Sequence, residues 1–166
     1  MARRRKGSGG VNSADTVFAM AVSDSKEVVI EASLDEVLDV IADVESSPEW
    51  SSAQQSVEII DTTDDGRPHR VKMKIKSAGF TDEMVVEYVW PDDVVGWSLV
   101  SSRVLRRQDA KYAFTPEGEK TRVRFELTID PVVPVPGFLL KRSLKGGLDD
   151  ATDGLRKRVL SAKKGR

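Results

Sequence analysis

No cysteine occurs in this 166-residue chain, so neither a disulfide framework nor a thiolate metal site is open to it. Histidine is almost as scarce. His69 stands alone, which excludes a histidine cluster and the usual histidine-rich metal centre. From this donor set neither a metal nor a cofactor is expected. No apolar run approaches the roughly 20 residues that a membrane-spanning helix needs. A strong charge excess is also missing: the net charge is −1, and DNA is not an expected partner. What remains, 39% hydrophobic and 32% charged residues, fits one soluble domain at home in a reducing cytoplasm.

The charges that are present gather at the two ends. Arg3, Arg4, Arg5 and Lys6 form a basic head; Arg156, Lys157, Arg158, Lys163, Lys164 and Arg166 form a basic tail. One reading is contact with a ribosome, nucleic acid or anionic membrane. The other is a disordered leader, with cations at the tail complementing a helix C-terminus. No aromatic residues interleave with the arginines as single-strand binding requires. Residues 1–22 read as a disordered leader and 23–163 as a single domain. The short apolar patch from Thr16 to Val22 fails as a secretory signal, because Gly7 to Asp15 separates it from the charges. Met20 directly precedes a regular strand pattern, so a start there is one expectation; a native mass including Met1 or Ala2 excludes it.

Periodicity carries most of the information. A first strand reads from Lys26 to Glu31. Ser33-x-x-Glu36 is then a capping box, and Leu34, Val37, Leu38, Ile41 and Val44 share one helical face. Asp43 to Trp50 ends that helix, with Pro48 forbidding a longer ladder. From Gln55 the period becomes two. Val57 and Ile59 lead to a turn at Asp64-Asp65-Gly66, and Val71, Met73 and Ile75 then oppose Arg70, Lys72, Lys74 and Lys76. Further alternating runs hold Met84, Val86 and Tyr88; Trp97 and Leu99; Ala110, Tyr112 and Phe114; and Val123, Phe125, Leu127 and Ile129. From Phe138 to Leu160 the spacing turns helical, and Leu140, Leu144, Leu148, Ala151, Leu155 and Val159 make one stripe. A sheet dry on one side needs a cover, and this last helix supplies it, reached through the stiff segment Pro131, Pro134, Pro136 and Gly137.

Pro48-x-Trp50 after the first helix, Val57-Glu58-Ile59, Tyr88-x-Trp90-Pro91, Trp97-Ser98-Leu99 with Ser101-Ser102, and Tyr112 appear here in order. With this element order, the chain from about residue 24 to 162 resembles the START-like polyketide cyclase/dehydrase and lipid transport superfamily. The resemblance implies an α+β helix-grip fold: a curved six- to seven-stranded antiparallel sheet wrapped around a long C-terminal helix, with two short helices after strand 1. It also implies an elongated pocket between sheet and helix for a small hydrophobic ligand such as a lipid or polyketide, in a monomer or weak dimer. Inward positions that make this pocket apolar are Val71, Met73, Met84, Val86, Tyr88, Trp97, Leu99, Tyr112, Phe125 and Leu127, with Leu144 and Leu148 from the helix. Asp82, Ser101, Gln108 and the two tyrosine hydroxyls are the polar candidates. A stripe of Val, Met and aromatic residues is first of all a core, and many of these side chains are expected to pack against the helix and leave no void.

A cyclase or dehydratase needs an acid and a base near an enolisable carbonyl. His69, of the same parity as Val71, and Asp82 are the candidates, although His69 also suits a solvated turn. Arg106 and Arg107 can hold a carboxylate or phosphate, with one of the pair facing solvent. Asp149, Asp150 and Asp153 read as a solvated helix face. Gly146, Gly147 and Gly154 each cost a helix about 1 kcal/mol relative to alanine, so either close approach to the sheet or a hinge is their purpose. Three functions stay open: a ligand carrier, an enzyme using the same pocket, and a ribosome- or protein-associated factor.

Overall fold

The structure, a computed structural model, describes residues 21–77 and 79–165. The expected leader and the Met20 start therefore lie outside the described residues, except that Val22 already belongs to the first strand. Strand β1 (Val22–Ile30) is followed by helix α1 (Leu34–Ala42) and a short 3-10 helix, Val44–Glu49. Six strands then meander: β2 (Gln54–Ile59), β3 (Arg70–Ser77), β4 (Phe80–Val89), β5 (Val94–Ser101), β6 (Leu105–Glu117) and β7 (Lys120–Pro131). The chain closes with α2 (Gly137–Asp149), a π-helical turn (Asp150–Gly154) and α3 (Leu155–Lys164).

The capping box forms as the sequence implies. Glu36 N–H donates to Ser33 Oγ at 3.2 Å, and Ser33 N–H donates to Glu36 Oε1 at 2.9 Å. Pro48 sits inside the 3-10 helix, where its missing N–H costs little. Every strand pairs antiparallel with its neighbours in the order β1-β7-β6-β5-β4-β3-β2, so β1 and β2 are the two edges of one curved seven-stranded sheet. β1 starts four residues earlier than its alternation indicated. Ser23 and Asp24 are polar, yet Ser23 Oγ meets Thr128 Oγ1 at 2.7 Å and the pairing extends to Val22 opposite Ile129.

The closing helix lays its whole stripe into the core: Leu140, Leu144, Leu148, Ala151, Leu155 and Val159 are all buried. The stripe passes through the π turn. There the Leu155 N–H bonds to the carbonyls of Asp150 and Thr152 and bypasses that of Ala151. The acidic residues expected to be solvated are anchors instead. Lys26 Nζ on β1 meets Asp149 at 2.7 Å and Asp153 at 2.8 Å, and Asp150 accepts from both Ser52 N–H and Ser52 Oγ at 2.9 Å. Lone carboxylates on a helix face lie within reach of β1, whose pairing the sequence pattern did not reveal. Hydrogen bonds from Lys145 and then Lys26 hold the Asp149 carboxyl below its ordinary range.

Two of the three helix glycines mark close approach. A Cβ on Gly154 would lie 2.8 Å from the Trp50 carbonyl oxygen, and one on Gly147 would lie 3.1 Å from Leu127 Cδ2, whereas one on Gly146 would meet nothing within 4 Å. The basic tail is partly spent on the body: Arg156 pairs with Glu31 at 2.9 Å, and Arg158 with Glu49 at 2.8 Å. Among the described residues no helix is long and apolar enough to cross a membrane.

Candidate ligand chamber

Sheet and helix meet only in part. A chamber of about 200 Å³ remains between the concave face of the sheet, the 3-10 helix and the first turns of the closing helix. Its floor is aromatic because β4, β5, β6 and β7 each place a ring on the concave face, with Tyr88 opposite Trp97 in one register row and Tyr112 opposite Phe125 in the next inward row. Tyr88 and Trp97 have ring centroids 5.0 Å apart, Trp97 and Phe125 5.7 Å, and Tyr112 and Phe125 4.6 Å. Met73, Met84 and Leu127 add flexible apolar walls.

The two tyrosines differ in one respect. Tyr112 donates its hydroxyl to the Ala151 carbonyl at 2.9 Å, the carbonyl that the Leu155 N–H bypasses. The Tyr88 hydroxyl has no hydrogen-bond partner among the described residues, although the side chain is buried in the chamber wall. Burial raises the pKa of both phenols, so both stay neutral across the physiological range. Gln108 also lines the chamber, and its Oε1, like Trp50 Nε1, is buried without a partner among the described residues. Orphaned buried polar atoms are uncommon and point to an occupant, such as a ligand or water, or to a local function.

Asp82 lies in the wall at 4% exposure. Its two oxygens are committed: Ser102 Oγ–H donates to Oδ2, and Arg103 N–H donates to Oδ1 at 3.2 Å. Ser102 Oγ in turn accepts from the N–H groups of Val104 and Leu105 at 3.0 and 2.9 Å. The carboxylate thereby ties the β5–β6 turn to β4.

Several expected site residues lie elsewhere. Val71 and Val86 pair across β3 and β4 at 0% exposure and pack into solid core, as do Leu144 and Leu148 on α2. Leu99 packs against that core beside Val86, outside the chamber. Ser101 is corrected by one residue. Val86 faces Leu99 but Val85 faces Ser101, so β5 carries a bulge, parity slips, Ser101 turns outward and Ser102 takes the inward place. His69 is not in the chamber either. It sits outside the β3 ladder, with Nδ1 3.1 Å from Asp61 and Nε2 3.7 Å from Glu87 on the outer face. Arg106 and Arg107 are engaged by Asp130 at 3.5 Å and Asp109 at 2.6 Å.

Sequence reasoning missed the wall supplied by the first helical hairpin, where Ile41, Val44, Ser47 and Trp50 line the chamber. The apolar face of α1 was visible; that its last turn borders a void was not. Ile75 and Ile129 share the register of Met73 and Phe125, and alternation alone places them inside.

A family model described as polyketide cyclase / dehydrase and lipid transport matches residues 21–160. No curated protein matches the chain in sequence. Among solved structures, a START superfamily protein from Mycobacterium smegmatis is similar at TM-score 0.76 and 22% identity, covering 84% of this chain and 98% of that one. A Thermus thermophilus protein gives TM-score 0.73 at 23% identity, covering 85% and 99%. The Zhui aromatase/cyclase of a Streptomyces species gives 0.74 at 13% identity, covering 88% and 96%. At these identities the solved structures speak for the fold alone. Taken with the helix-grip architecture, the family match settles the relationship: the chain belongs to the polyketide cyclase/dehydrase and lipid transport family, with a START-like fold.

Proposed function

We propose that the protein binds, and carries, a compact hydrophobic molecule in the chamber between sheet and closing helix. The observation that supports this reading is the void itself. Its lining is mostly apolar, so an apolar guest is favoured there over water. An apolar cavity of about 150 Å³ accommodates benzene, so this chamber suits one or two rings, or an equivalent short chain, better than a two-tailed lipid. Aromatic walls favour a flat body, and the Tyr88 hydroxyl and Gln108 amide offer neutral hydrogen-bond partners. Purification from the native host followed by native mass spectrometry tests the idea. The expected result is a bound mass that organic solvent releases as an apolar compound. A chain that never carries one, and takes up none from a panel of apolar metabolites, overturns it.

A second reading, cyclisation or dehydration within the same chamber, draws support from Asp82, a buried carboxylate in the wall. Turnover of a polyketide-like substrate that Asp82→Asn abolishes, in a variant still folded, would favour it.

A further inference from the structure

The chamber runs into a more open depression of about 480 Å³ on the surface, and Ser77, Ser143, Gly147 and Asp150 line both. Ser77, at the end of β3, and Ser143, on α2, hydrogen bond to each other where the two spaces meet. Lys76 and Arg142 are also among the residues that line the depression. Both are exposed, and neither has an anionic partner among the described residues. Lys145, three residues on from Arg142, by contrast pairs with Asp149 at 2.8 Å.

The helix adds to this potential. α2 starts behind Pro136 with no side-chain cap and no acid in its first turn, so its positive end is uncompensated. Cations in the first half of a helix oppose its dipole, and Arg142 gains no ion pair in return, only the Phe138 ring with its guanidinium 5.9 Å from the centroid. Asp150 is the one acid among the described residues that line the depression. It accepts two hydrogen bonds from Ser52, and two cations against one carboxylate leave the depression positive.

We infer that the ligand is an amphipathic anion, with its apolar body in the chamber and one carboxylate or phosphate headgroup between Lys76 and Arg142. This rests on the chamber being a ligand site. Arg106 and Arg107, the sequence-level candidates for such a group, are neutralised by their own partners, and Lys76 and Arg142 replace them.

Calorimetric titration with decanoate, decanol and inorganic phosphate tests the inference on the full chain and on the Lys76→Gln/Arg142→Gln double variant. Both substitutions are on the surface, and a thermal melt checks that the variant folds. At low ionic strength decanoate is expected to bind about tenfold tighter than decanol, a preference that shrinks below about threefold in the variant and at high salt. Decanol affinity stays the same in both proteins, and inorganic phosphate alone binds too weakly to measure. Equal affinity for decanoate and decanol, or a preference that survives the double substitution, overturns the inference and leaves the chamber reading standing. Measurable phosphate binding that decanoate does not displace overturns it as well. Failure of both decanoate and decanol to bind overturns the chamber reading together with the inference.

Discussion

Tyr112→Phe removes a single oxygen, and the structure fixes what that oxygen does. It donates to the Ala151 carbonyl at 2.9 Å, inside a turn where the Leu155 N–H has gone to Asp150 and Thr152 instead. Without the phenol, a buried acceptor loses this partner, which costs about 1–3 kcal/mol. For a domain of this size each kcal/mol lowers Tm by about 2–4 °C, so a fall of about 4–8 °C is expected for a loss near 2 kcal/mol. Tyr88→Phe is the internal control. Tyr88 shares the burial and the ring contacts but has no partner for its hydroxyl, so its loss changes stability by less than about 1 kcal/mol. Thermal and urea unfolding of both variants make the comparison. Equal shifts would refute a stabilising role for the Tyr112 hydroxyl at the Ala151 carbonyl. Alkaline titration gives a second check. Both phenol pKa values are raised by burial, so the stability tied to them is complete below the unfolded pKa of about 10 and is lost as pH rises beyond it.

Other consequences are equally specific. Ser102→Ala cuts the Asp82 anchor and two N–H contacts of the β5–β6 turn, and should cost about 1–3 kcal/mol in chemical denaturation; Ser101→Ala should stay within about 0.5 kcal/mol, and the reverse order would contradict the bulge. Gly154→Ala drives a methyl to 2.8 Å from the Trp50 carbonyl and should destabilise by about 1–3 kcal/mol, whereas Gly146→Ala, in open space, should stabilise by up to about 1 kcal/mol. Lys26→Met should flatten the acid limb of a stability–pH curve. The depressed Asp149 pKa contributes stability present above the ordinary aspartate value near 4 and lost as pH falls below it, and an unchanged limb would deny Lys26 that role.

The fold was legible because its signals are local and repeated. Ser33 and Glu36 announce α1, period-two runs announce the strands, and the Leu140 to Val159 stripe announces the cover. The chamber was legible only in part. Alternation places Met73, Met84, Tyr88, Trp97, Gln108, Tyr112, Phe125 and Leu127 on the dry face, and all of them reach its wall. The same rule places Val71 and Val86 there, and it cannot separate lining from filling, because which row touches the helix depends on sheet curvature. Ser101 failed through one bulge, a backbone event with no glycine or proline to mark it. His69 failed because its parity was extrapolated beyond the end of β3 into a segment held by Asp61.

Whether the chamber admits an apolar guest is read from methyl-resolved NMR during titration with naphthalene. Saturable ring-current shifts are expected at the methyls of Met73, Met84, Leu127 and Ile129, which line the space, with Val71 and Val86 in the solid core unmoved. Shifts that never saturate, or that spread evenly over core and chamber methyls, would contradict a guest in the chamber.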